Sequence, residues 1–143
     1  MDWADEMAQK IKQQMEGAEA NDSKEAQLEK RIQHDGPAVW EALKGDINAQ
    51  GQRLNSKLGK ELVTRDPSQP DEMILLADFG RGPRRLAVGF YPTTGTVTWI
   101  KNTGGTGSYR LQVTSLGPLA FFGSGGQVGT GDIARRLLEE LLR

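Results

Sequence analysis

The stretch Gly126-Gln127-Val128-Gly129-Thr130-Gly131 has the glycine spacing of a phosphate-binding loop and stands between an expected strand and an expected helix. Such a loop needs Lys and then Ser or Thr next, to supply charge and a magnesium ligand. Here Asp132 and Ile133 follow. Asp132 would repel a phosphate at the helix start, so the stretch reads as a strand-to-helix connection. The wider glycine-rich run 123–131 reads as a mobile segment, a small lid beside which a small-molecule pocket could form.

The remaining reactive residue types do not converge. His34 is the single histidine, so it cannot anchor a multi-histidine metal site. Its place suits the end of a helix, where imidazolium meets the last carbonyls. Ser124 lies between glycines but lacks the nucleophile-elbow pattern, because Phe122 and Gly126 flank the triplet. Asp71, Glu72 and Asp78 are carboxylates near turns, where charge is ordinarily solvated. Asn102 to Gly107 could offer backbone N–H groups to an anion, but a hairpin turn uses the same residues. No catalytic residue, metal ligand or cofactor-binding residue is assigned, and no cofactor is expected.

Two surfaces carry more weight. Arg81, Arg84, Arg85, Lys101 and Arg110 form a basic set in the second half, and Arg85 and Arg110 share one strand face with Tyr91. A basic sheet bearing an aromatic side chain can bind single-stranded nucleic acid by charge and stacking. The second surface is the row Trp3, Met7, Ile11 and Met15, one apolar residue every fourth position. Methionine adapts to varied partners, and an amphipathic helix can fold back on its own domain, meet its own copy or enter a partner's groove.

Composition narrows the classes. The 143 residues suit one domain, and there is no cysteine, which excludes disulfides and thiolate chemistry. A net charge of −1 gives no bulk attraction to nucleic acid or membrane. Residues 1–35 nevertheless carry nine acidic against five basic side chains, and residues 36–143 ten against thirteen. The first ten residues lack the apolar core of a secretory signal. No membrane association is expected, and a cytoplasmic setting is.

The elements that position these residues follow from a change of character near Gly59. Before it the chain is charged, Gln-rich and helical in period. After it β-branched residues alternate with polar ones between Gly and Pro turns. The arm 1–35 is expected to break near Asn21-Asp22-Ser23, and Asp22 with Glu25 has capping-box spacing for a restart. Pro37 suits the first turn of a second helix, with Val39, Trp40, Leu43, Ile47, Leu54 and Leu58 on one face and Gly59 as its cap. Strands are expected at 60–65, 72–79, 85–91, 96–101, 108–114 and 118–122. Thr130 is a good N-cap for a last helix running to Arg143.

A four-residue turn at 92–95 pairs Tyr91 with Thr96, which places Val88 opposite Trp99 and Phe90 opposite Val97. If Lys101 pairs with Tyr109, Leu111 and Val113 join the apolar face, and Trp99 is buried beside Val88 and Leu111. The other face carries Arg85, Tyr91, Ile100 and Arg110. The expected fold is α+β: an N-terminal helical arm (1–35), then a single domain (36–143). That domain holds a second helix, an antiparallel meander sheet of five or six strands, and a C-terminal helix on one face. The expected role is a non-enzymatic protein-interaction or scaffold module, self-associating through the arm or binding another protein. The alternatives are a single-stranded nucleic-acid binder using the open sheet face, and a small-molecule binder or enzyme with a pocket near 123–131.

Overall fold

The computed structural model describes residues 2–80 and 82–143, with the side chains of these except 16–23, 67 and 68. The architecture is the expected α+β one. Helix α1 (Trp3–Leu58) leads into strands β1 (Val63–Gln69), β2 (Glu72–Asp78), β3 (Pro83–Tyr91), β4 (Thr96–Lys101), β5 (Thr106–Val113), β6 (Leu119–Gly123) and β7 (Gly126–Val128). Helix α2 (Thr130–Leu142) follows. The strands form one antiparallel meander in the order β1 to β7. This is one strand more than the upper expectation. The seventh is the expected lid: Gly123 pairs with Gly126 and Phe121 with Val128, so the segment folds back as a hairpin and its backbone groups join the sheet.

The arm and the second helix join end to end as α1. The helix runs through 21–23 and keeps Pro37 in its interior. An internal proline costs about 3 kcal/mol through a lost hydrogen bond and a clash with the preceding turn. Burial on either side opposes that cost, because Ile32 and Trp40 are both 2% exposed. Gly36 sits between them, and a Cβ there would come within 3.4 Å of Phe90 and 3.5 Å of Leu111. These are ordinary van der Waals distances, so α1 lies close on the sheet where the proline follows. Since the helix does not end near His34, the imidazole caps no carbonyls. It is exposed, with Nδ1 2.6 Å from Asp35 Oδ1. Gly59 does end the helix, in the left-handed conformation at φ 70°.

One layer of helices covers one face of the sheet. Trp40, Leu43 and Ile47 of α1 and Ile133, Leu137 and Leu141 of α2 meet Met73, Leu75, Leu86, Val88, Phe90, Leu111 and Phe121. Trp40 stacks on Phe90 at a centroid distance of 5.5 Å, and its Nε1–H donates to the Pro70 carbonyl at 2.8 Å. Asn55 ties the helix end to the first strand: its amide donates to Val63 O at 2.8 Å, and its carbonyl accepts from the N–H groups of Leu62 and Val63. Thr130 is the first residue of α2 rather than its cap, and its hydroxyl donates to Asp46 of α1 at 2.6 Å. The hydroxyl is thereby drawn to the neighbouring helix and not to its own turn.

The β3–β4 register is as expected, with Val88 opposite Trp99 and Phe90 opposite Val97. The β4–β5 register is not. Tyr109 pairs with Val97, and Trp99 with Gly107. The reason is steric: the Trp99 indole lies over Gly107, where a Cβ would overlap it. The shift is an even number of residues, so the facing is kept and Leu111 remains in the core. Trp99 itself is only partly buried, at the margin of the core. Val113 is 44% exposed rather than in the core, because it lies at the far end of β5 beside the base of the arm. Lys101 falls on the covered face opposite Leu86, is 8% exposed, and donates from Nζ to the Arg143 carbonyl at 3.1 Å.

The two tryptophans should therefore differ in urea denaturation. Trp40→Ala is expected to cost about 3–5 kcal/mol, the range for large-to-small core changes, and Trp99→Ala clearly less. Equal losses would contradict the burial described.

Candidate functional site

The described side chains of the arm before Leu28 are bare. All the described residues from Asp2 to Gln27 are exposed, and the first half-buried side chain is Leu28. Trp3 is 73% exposed, Met7 37%, Ile11 50% and Met15 60%. At about 100° per residue, these four fall within an arc of roughly 120°. The same arc, carried along the helix, holds Ile32, Gly36, Leu43 and Ile47, which touch the sheet. The bare stripe is thus the continuation of the core-facing side of α1, extended past the edge of its own domain. It does not fold back on the sheet.

Local forces favour helix here. Asp5 and Glu6 occupy the first turn, where negative charge meets the positive end of the helix dipole. Glu6 and Lys10 are an i,i+4 pair in the favourable order. At the base of the arm, Arg31 Nε donates to Asp35 at 3.0 Å, and the same guanidinium donates to Gly117 O at 2.7 Å, fastening α1 to the β5–β6 turn. Hydrogen bonds from His34 and then Arg31 hold the Asp35 carboxyl below the usual carboxylate range. This contact is complete above the ordinary carboxylate pKa and fades as pH falls through the lowered value.

Beside that base lies a groove of about 690 Å³ between α1 and the β5 end of the sheet, lined by Leu28, Ile32, Thr93, Thr94, Gln112 and Val113 among others. Sequence reading did not find it. Its walls come from segments distant in the chain, Leu28 and Val113 among them, and no local pattern joins the two.

The open sheet face spreads the other candidates apart. Tyr91 and Arg110 share a cross-strand row, each opposite Thr96. Arg85 lies six residues from Tyr91 along β3, roughly 20 Å away at the strand rise. The depression between them, about 480 Å³, is lined by Gly89, Thr98 and Ile100 and bears Asp71 and Glu72. Two other members of the basic set serve the fold. Arg84 donates to the carbonyls of Leu142 and Arg143, and Lys101 joins it there, so sheet cations face the negative end of α2. Arg81 lies outside the described residues.

The weaker motifs are absorbed by structure. The backbone of Asn102–Gly107 closes its hairpin through Lys101 N to Gly105 O and Gly104 N to Lys101 O. Asp78 accepts from Gly80 N at 2.8 Å. Asp132 pairs with Arg135 at 3.5 Å. Ser124 lies in the β6–β7 turn, beside an open depression of about 460 Å³ that includes Trp99, Arg110 and Arg136. Among the described residues, no three His, Asp or Glu side chains converge on a metal position. Among them too, no helix is long and apolar enough to cross a membrane. Comparison with protein-family models, curated proteins and solved structures finds no match.

Since the described side chains before Leu28 are all exposed, a chain lacking residues 1–20 should fold. Its urea midpoint should lie close to that of the full chain. A collapse of stability would place the arm within the folding unit.

Proposed function

We propose that this protein is a non-enzymatic interaction or scaffold module that associates with a second copy of itself through the α1 arm. The observation that carries the reading is the exposure of Trp3, Met7, Ile11 and Met15 on a helix whose other half is embedded in a core. A stand-alone helix of this size is marginal in water because its first turn is hard to nucleate. Here the sheet-bound half of α1 supplies the nucleus, and the arm only propagates it. The result is a preformed helix with a ready apolar stripe, so that little ordering cost falls on binding.

Size sets the strength. Four apolar side chains per copy fall well short of the roughly 20–30 residues a side of a standard interface. Association should therefore be reversible and dilution-dependent, with a Kd on the order of micromolar. The sheet edges are poor rivals for docking. Strand β1 contains Pro67 and shifts register between Asp66 and Gln69, and β7 has only 3 residues. Short, irregular or proline-bearing edges resist strand addition. The cysteine-free composition supports a reducing, cytoplasmic setting.

Light scattering over a concentration series tests this. The full chain should move from monomer to dimer, and Met7→Asp with Ile11→Asp should abolish the dimer while leaving the thermal midpoint nearly unchanged. A full chain that stays monomeric at roughly a hundredfold above the expected Kd would overturn the proposal.

A further inference from the structure

Resting on that self-association, the geometry points to an antiparallel pair of arms that cross near Gln9, with the two sheet domains at opposite ends. Three observations converge on the partner and the direction. The first is the stripe itself. In an antiparallel register centred on residue 9, Trp3 meets Met15 of the second copy, and Met7 meets Ile11 of the second copy. Every member of the stripe then has an apolar partner.

Charge favours one of the two directions. At about 100° per residue, Asp5 and Lys12 lie behind one side of the stripe, about 140° and 120° from its centre, and Glu6 and Lys10 on the other side, at about 120° and 80°. An antiparallel pair brings like sides together, so Asp5 shares a side with Lys12 of the second copy and Glu6 with Lys10 of the second copy, a long-range attraction. A parallel pair brings opposite flanks together at equal heights. Asp5 would then share a side with Glu6, and Lys12 with Lys10, each a long-range like-charge repulsion that opposes association. These four side chains are all exposed.

The third observation is steric. The apolar arc of the arm is the arc that the protein's own sheet covers from Ile32 onward. Two parallel arms lying side by side on that arc would drive both sheets into one space. Antiparallel arms send the sheets apart. A stripe at i, i+4, i+8 spacing is a ridge of the kind that packs with helices inclined by about 50°. The contact is then short and local, which agrees with an interface of four residues a side.

The absence of cysteine makes the arrangement directly measurable. Gln27 is exposed, lies opposite the stripe, and is 18 residues from the crossing point. Gln27→Cys carrying a nitroxide should show one intermolecular distance of about 50 Å by double electron–electron resonance. A distance under about 30 Å marks a parallel pair or another register, and overturns the inference while leaving self-association intact. No intermolecular coupling at concentrations where light scattering reports a dimer would place the contact outside the arms. No dimer by either method would remove the underlying proposal as well.

Discussion

The rest of the molecule depends on how closely α1 can lie on the sheet. At Gly36 the helix comes within van der Waals reach of Phe90 and Leu111, and one turn later Trp40 stacks on Phe90. The Trp40 N–H and the Lys44 ammonium both donate to the Pro70 carbonyl, so the β1–β2 turn is held to the same helix face. A methyl group at 36 would only make ordinary contact with Phe90 and Leu111, whereas a larger side chain would have to displace them. The approach also bears on Pro37, because burial before and after it keeps the helix running where a proline would otherwise end it.

Continuity across Pro37 changes what the arm is. Had the helix restarted there, residues 1–35 would form a separate and marginal segment. Joined to the embedded half, they form a helix that extends roughly 35–40 Å beyond Leu28 at 1.5 Å per residue. The apolar arc that serves the core then emerges from the domain with nothing of its own to cover it. Its charges alternate in blocks, acidic then basic, and this pattern suits a reversed copy of the same segment. Anchorage in the core and availability to a partner are two consequences of one helix.

The sheet supplies the rigid half. Its covered face is apolar apart from cations such as Lys101 and Arg84, which both reach the carbonyls at the end of α2. Its open face holds Thr, Ile and Tyr with two widely spaced arginines and acidic residues near the first turn. Among the described residues such a surface offers no continuous cationic track.

The local and periodic features of this protein are determined by sequence alone. Alternation fixed the facing of β3 and β4, turn residues set the meander, Gly59 capped α1, and fourfold spacing revealed the stripe Trp3, Met7, Ile11 and Met15. Each depends on neighbours a few residues away. Tertiary structure decided what required distant contacts. Pro37 stays helical because the sheet buries both sides of it. The β4–β5 register slides because Trp99 needs the empty space above Gly107. The segment 126–128 becomes a strand because β6 offers it an edge. Lys101 was legible by parity with Val97 and Trp99, yet its place on the apolar face makes sense only once α2 brings its carbonyls there. Whether the arm lies bare or folds back was likewise beyond local pattern. The same apolar arc could serve either end, and only the length of the sheet determines where its cover stops.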